Sequence, residues 1–295
     1  DPESWHREYD LYNSNLDSMF TQNFRWPKCY HSKLHNESIE LWMEYIDGIT
    51  GEDLTISMLD QASRELGLFQ GRVFRQGKTN NLSCLGDTEF LEREFNRWHT
   101  QSYSYDFLTS KSCRLPEFLK TKLKNGNLKL TEGKSLEYSC LRSNACAIPE
   151  HLKQMVIDVD ERKDELFAKL KKLPVVLCHR DFWQENIFFN KGNIILIDWD
   201  TAGWGYLGED IASLIVDEVP VERFEDNYRR LLPTYLTGLA TYMPVPQIED
   251  IPILDIILIK FGYRMIQESL FSETIDKNDW GLNMLQQIYE MINSK

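Results

Sequence analysis

Asp181, Asn186 and Asp198 are the residues of this sequence whose types and spacing could do chemistry together. The text around them runs His179-Arg-Asp181-Phe-Trp-Gln-Glu-Asn186, then two apolar runs, 187–190 and 193–197, joined by Asn190-Lys-Gly-Asn193, and ends in Asp198-Trp-Asp200. Such a turn between two strand-like runs predicts a β-hairpin. A hairpin brings its own ends together, so Asn186 before the first strand and Asp198 after the second must lie side by side. An amide oxygen and a carboxylate converging there are the hard ligands that Mg2+ takes, with its other positions left to water and phosphate oxygens. Asp181 adds a second carboxylate beside them. One carboxylate to orient or deprotonate a hydroxyl, next to a metal clamp on phosphates, is what phosphoryl transfer requires. Asp200 carries two readings: contact with a second metal through water, or a cap on the following turn.

The elements that must position these residues follow from the rest of the pattern. Val175-Val-Leu-Cys178 reads as a short buried strand that leads into the polar loop carrying Asp181. Upstream, residues 2–20 carry Trp5, Tyr9, Leu11, Tyr12, Leu16 and Phe20 at helical spacing. Two extended segments are expected around 29–32 and 39–46, the second broken by Asp47-Gly48. An amphipathic helix is expected over 53–70, then a polar loop from Gly77 to Asp87, then helical patterning to about Lys172. Beyond Glu209 the pattern is helical again, over 210–216, 224–242, 251–271 and 280–292, punctuated by prolines.

Composition narrows the partners. Of 295 residues 42% are hydrophobic and 27% charged, the balance of a folded globular chain. The longest apolar stretch, around 251–259, is interrupted by Pro252 and Asp255 and falls short of the ~20 residues that cross a bilayer. The charged N-terminus lacks the apolar core of a secretory leader, which sets the expectation of a cytoplasmic protein. Six widely spaced cysteines are expected to be reduced. Thirty-three basic against 46 acidic residues give a net charge of −13, which repels phosphate backbones and anionic lipid, so neither nucleic acid nor membrane is expected as a partner. Residues 200–295 hold 16 acids and 7 bases, a net of −9. That acidic third either solubilises the surface or attracts a cationic substrate.

The residues His179, Asp181, Asn186 and Asp198 resemble the H-x-D-x-x-x-x-N and downstream Asp motifs of the protein-kinase-like superfamily. The fuller text, Leu177-Cys-His-Arg-Asp-Phe-Trp-Gln-Glu-Asn-Ile-Phe-Phe189 with Ile195-Leu-Ile-Asp-Trp-Asp200 and Gly208-Glu-Asp-Ile-Ala212, is similar to the aminoglycoside phosphotransferase and choline kinase branch. Only Trp199 to Glu209 separate Asp198 from Asp210, which leaves no platform for a peptide and points to a small-molecule kinase.

The resemblance implies an α+β fold of two lobes: a partial small lobe over 1–46 and a mostly helical lobe over 47–295. It implies ATP, with GTP as an alternative, and Mg2+. Asp181 would be the catalytic carboxylate and Asn186 and Asp198 the metal ligands, with His179 and Asp210 supporting the loop. Leu41-Trp-Met-Glu-Tyr-Ile-Asp-Gly48 resembles the hinge that hydrogen-bonds adenine through main chain, here at Glu44 and Ile46. The helix over 2–20 resembles the one whose Glu pairs with the phosphate-binding Lys, and Glu8 is the choice for that Glu. The acceptor would be a small molecule, an amine or amino sugar among the candidates, and oligomeric state is left open.

Two departures accompany the resemblance. The family's Gly-rich strands and Lys-bearing strand should precede that helix, whereas Lys28 and Lys33 follow it; the expectation is that those elements lie upstream of Asp1. A non-catalytic nucleotide- or metabolite-binding pseudokinase is the alternative function. Arg180 stands where the antibiotic kinases usually have Gly. The rival motif Gly203-Trp-Gly-Tyr-Leu-Gly208 spells a dinucleotide fingerprint, but no strand follows to complete a β-α-β unit. These glycines are read as a tight turn instead.

Overall fold

The computed structural model describes residues 4–77, 82–100, 103–143, 146–274 and 276–294. The expected loop from Gly77 to Asp87 and the expected start of the first helix therefore fall partly outside the described residues. In chain order the elements are α1 (Arg7–Tyr12), β1 (Phe24–Arg25), β2 (Cys29–Leu34), β3 (Ile39–Met43), α2 (Ile56–Gln76), α3 (Phe90–Thr100), α4 (Tyr105–Thr109), α5 (Glu117–Lys124), α6 (Leu136–Leu141), α7 (Glu150–Glu161) and α8 (Lys163–Leu170). There follow β4 (Val175–Cys178), β5 (Ile187–Asn190), β6 (Asn193–Leu196), β7 (Gly203–Tyr206), α9 (Glu209–Val216), α10 (Phe224–Ala240), α11 (Ile253–Leu270) and α12 (Trp280–Asn293).

The chain divides into two compact units. The first comprises residues 1–90, 170–219 and 223–253, and the second residues 91–169, 220–222 and 254–295. The first unit holds every residue singled out for chemistry, the hinge-like segment and the catalytic loop alike.

In the first unit the hairpin forms as its turn chemistry dictates. β5 pairs antiparallel with β6, Ile187 opposite Leu196 and Asn190 opposite Asn193, and Lys191 and Gly192 take φ of 48° and 87° at the turn. β1 extends this sheet in parallel, Phe24 beside Ile194. β2 and β3 form a separate antiparallel pair, as do β4 and β7. Under them α2 and α10 cross closely. A Cβ on Gly67 would collide with the Tyr235 carbonyl and one on Gly238 with the Arg64 carbonyl, so only glycine fits at either side of the crossing.

The first helix is shorter than its apolar spacing predicts. α1 ends at Tyr12, and a 3-10 turn over Leu16–Met19 resumes the pattern. The reason is local: Asn13 Nδ2 donates to Tyr9 O at 2.7 Å and Ser14 Oγ to Leu11 O at 2.6 Å, side-chain bonds that compete with the helical ladder. The glycine-rich 203–208 segment also differs from the turn expected. Gly203 to Tyr206 form β7, antiparallel to β4, and only Gly208 has a positive φ, 110°. Gly203 and Gly205 are glycine because neighbours approach: a Cβ on Gly205 would lie 2.8 Å from Cys178 Sγ.

The second unit is helical. It is knotted by the buried carboxylate of Asp160, which receives Arg142 Nη1 at 2.9 Å, Tyr263 OH at 2.5 Å and the ring of His99. Among the described residues no helix is long and apolar enough to cross a membrane.

Candidate active site

The catalytic loop is held by a buried carboxylate. Asp210, in the first turn of α9 and 1% exposed, accepts the main-chain N–H of His179 at 2.8 Å on Oδ2 and that of Arg180 at 2.7 Å on Oδ1. Gln70 of α2 donates to the same Oδ2 at 3.0 Å and to Leu177 O at 3.0 Å, and is itself held by Tyr235 OH at 2.5 Å. Gln70 has no role in the sequence reading. Its signal there is a polar residue in line with Leu59, Ala62, Leu66 and Val73, on the face that α2 buries. His179 ties the far side of the loop, with Nε2 on Ile197 O at 2.9 Å, and its carbonyl accepts Thr201 Oγ1 at 3.0 Å.

From this frame the chemistry-bearing residues converge. Asn186 Nδ2 donates to Asp181 Oδ2 at 2.8 Å and to Asp181 O at 3.0 Å, which turns the amide oxygen to the other side. Ile197 N–H donates to Asn186 O at 3.0 Å, closing the base of the hairpin and placing Asp198 next in line. Asp198 has a φ of 64°, a left-handed conformation that a non-glycine residue keeps only where its surroundings impose it. Trp199 is fully buried against Phe20, Phe69 and Trp26, its ring 4.8 Å from His179, so the loop is anchored between two carboxylates that face outward.

Those carboxylates repel one another. Asp198 is held above the usual carboxylate range by partial burial first, then by the charges of Asp200 and Asp181, and it shares a hydrogen bond with Asp200. Asp200 is raised by burial and Asp181, opposed by Arg7 and by the Thr201 N–H. Glu8 is raised mainly by burial, with Asp198 and Asp200 adding to it. Its Oε1 accepts the Trp199 N–H at 3.0 Å, so Glu8 faces the loop that carries Asp198.

A cluster of carboxylates that raise one another's affinity for protons has the same preference for any cation. Asp198 with the Asn186 amide supplies hard oxygens, the donor chemistry of Mg2+. Among the described residues no three His, Cys, Asp or Glu side chains form a metal cage by themselves.

Beside this cluster opens a cavity of about 320 Å3 that brings Glu8 and Asp198 together with Glu44 and Ile46. Met43, Phe188 and Ile197 give it apolar walls beside the carboxyls of Glu8 and Asp198. The Glu44 side chain is turned away, paired with Arg25 at 2.6 and 2.9 Å, which holds its carboxyl below the usual range. Its main-chain N–H donates to Lys28 O at 2.8 Å. With its side chain and N–H engaged, what Glu44 has left to offer a ligand is its carbonyl, and Ile46 lines the same cavity.

The chain belongs to the phosphotransferase enzyme family, whose family model matches residues 3–244. Solved structures share its fold. A choline kinase from Cryptosporidium parvum Iowa II is 16% identical with a TM-score of 0.52, over 97% of this chain and 77% of that one. A microcompartment-associated aminopropanol kinase is 13% identical with a TM-score of 0.50, over 100% and 83%. An aminoglycoside phosphotransferase from Streptomyces rimosus, solved with ADP and streptomycin, is 13% identical with a TM-score of 0.49, over 88% and 82%. No curated protein matches in sequence.

Proposed function

We propose that this protein is an ATP- and Mg2+-dependent kinase that phosphorylates a hydroxyl of a small, ammonium-bearing molecule in the cytoplasm, an amino alcohol or amino sugar. GTP is the other nucleotide the same cavity would take. The observation that carries the reading is the convergence of Asp181, Asn186 and Asp198 on one loop and hairpin base, with Asp198 also lining the apolar cavity.

Asp181 orients or deprotonates the acceptor hydroxyl, with its own carboxylate oriented by the Asn186 amide. Asn186 and Asp198 hold the cation. When bound there, the metal would supply neutralisation of charge on the phosphate oxygens. Glu44 O and Ile46 N–H take the adenine edge. The acceptor class is supported by the chain's net charge of −13 and by two of the similar kinases, named for choline and aminopropanol. The binding-module alternative is not favoured, since Asp181, Asn186 and Asp198 are all present and the family is one of phosphotransferases.

The test pairs binding with turnover. Mg-ATP at ~100 times its dissociation constant should stabilise the protein by roughly 2.7 kcal/mol. ADP release is then measured over choline, ethanolamine, aminopropanol and aminoglycosides. Asp181→Ala should keep the thermal shift and lose turnover by roughly 10²- to 10⁴-fold. Near-parent turnover in Asp181→Ala would remove its assigned role. No nucleotide-dependent shift, and no ADP release with any acceptor, would refute the function.

A further inference from the structure

Two arginines that the proposed reaction does not use lie buried under the acidic loop, Arg7 at 2% exposure and Arg180 at 4%. A guanidinium taken that far from water needs acceptors in its place. Backbone carbonyls provide them. Arg7 donates from Nε to Cys84 O at 2.8 Å and from Nη1 to Asp200 O at 2.6 Å. Arg180 donates from Nη1 to Thr201 O at 3.2 Å, from Nη2 to Trp204 O at 3.0 Å, and from Nη2 to Asp87 O. Its guanidinium also lies over the Phe90 ring, 4.3 Å from the centroid. Each arginine therefore links the same two stretches, 84–87 and 200–204.

The main chain repeats the link. Gly86 N–H donates to Ala202 O at 3.2 Å and Trp204 N–H to Gly86 O at 2.8 Å, a single parallel bridge between Gly86 and Gly203. Both glycines are demanded by Arg180. A Cβ on Gly203 would lie 2.5 Å from the guanidinium carbon, and one on Gly86 would collide with Nη1. Arg180 also keeps a φ of 73°, a region glycine enters freely and arginine does not. A strained backbone, two glycines and a buried cation thus meet at one crossing, beside Asp181 on one side and Asp200 on the other.

We propose that Arg7 and Arg180 are positioning residues that staple residues 84–87 across the loop after Asp198, and so hold Asp198 and Asp200 at the spacing a divalent cation requires. The proposal rests on the phosphotransfer reading of the site. Its mechanical route is short. Arg7 grips the carbonyl of Asp200 while its neighbour Glu8 accepts the Trp199 N–H, so one turn of α1 holds both sides of the Trp199–Asp200 step. Like-charged carboxylates held close raise one another's proton affinity, as here, and two buried guanidiniums on carbonyls restrain the backbone that carries them.

The test uses Mn2+ as the probe, titrated with ADP and followed by water-proton relaxation, on the parent protein, Arg7→Met, Arg180→Gly and Arg180→Lys. Glycine at 180 keeps the left-handed backbone while removing the staple. Mn2+ affinity should fall about tenfold or more in Arg7→Met and Arg180→Gly, as for other residues that orient a metal's ligands. ADP affinity without metal should be unchanged, and Arg180→Lys, able to keep one carbonyl, should lie between. Mn2+–ADP affinity within about twofold of the parent in folded Arg7→Met and Arg180→Gly overturns the proposal. So does a parallel loss of metal-free ADP binding, which would mark collapse of the unit rather than positioning. Should Arg7→Met fail to fold, Arg180→Gly decides alone. A parent protein that binds no Mn2+ with ADP is a different failure, that of the phosphotransfer reading itself.

Discussion

Replacing Asp210 by Asn tests the frame under the catalytic loop with almost no change of shape. Its Oδ2 accepts Gln70 Nε2 at 3.0 Å and His179 N at 2.8 Å, and its Oδ1 accepts Arg180 N at 2.7 Å. All of these partners are donors, and an amide has one oxygen. With that oxygen kept on the two-donor side, the Arg180 N–H bond is lost and an NH2 group faces it. A buried donor left unmet costs about 1–3 kcal/mol, and the two surviving bonds lose their charge assistance, about 1 kcal/mol each. Relief from burying a carboxylate offsets part of this. The net expectation is about 3 kcal/mol, a large share of the ~5–15 kcal/mol that domains have. At roughly 2–4 °C per kcal/mol this lowers Tm by roughly 6–12 °C. Urea and thermal unfolding of Asp210→Asn against the parent measure it. A Tm within about 2 °C of the parent would refute the claim that these bonds hold the loop.

Two further expectations concern charge and packing. The raised affinity of Asp198 for protons means that its folded-state pKa lies above the unfolded one, so its unfavourable contribution is absent below the unfolded value and grows as pH rises through the folded value. Asp198→Asn should therefore melt above the metal-free parent at pH 8, by under ~1 kcal/mol since the site is open to solvent, with the gap closing as pH falls to about 4, the unfolded carboxyl's range. An equal gap at both pH values would contradict the electrostatic cause. Gly67→Ala should cost about 1–3 kcal/mol or more, because its methyl meets the Tyr235 backbone rather than a side chain that can turn aside, and a denaturation midpoint equal to the parent's would show that α2 and α10 can part freely.

What was legible in the sequence follows from how local each signal is. The β5–β6 hairpin is written in four consecutive residues, and its closing of Asn186 against Ile197 follows from the turn alone. The end of α1 was also local, but it depends on Asn13 and Ser14 outcompeting an apolar face that continues to Phe20. The glycines at 203 and 205 misled because their cause is tertiary: what forbids a Cβ is Arg180, Cys178 and Glu209, not a turn. Gln70 left a faint trace as a polar residue on the buried face of α2. Arg7 left none, since nothing near it in the chain predicts that a surface-type side chain should reach Cys84 and Asp200.

The choice of carbonyls as the arginines' acceptors is itself informative. A guanidinium in a bidentate pair with Asp198 or Asp200 would occupy the oxygens a cation needs. It would also lower the affinity of those carboxylates for anything positive. On Asp200 O, Thr201 O and Trp204 O the arginines restrain the loop, while Asp198 stays raised by its burial and by the charges of Asp200 and Asp181. Arg7 does act through space on Asp200, opposing the effect of Asp181, yet both carboxyls remain raised. The geometry thus separates two demands that conflict at any cation site built from acids: the groups must be fixed close together, and they must not be neutralised by what fixes them. The carbonyl contacts of the two arginines serve the first, and the carboxyls of Asp198 and Asp200, both still raised although Arg7 acts on Asp200, show that the second is kept.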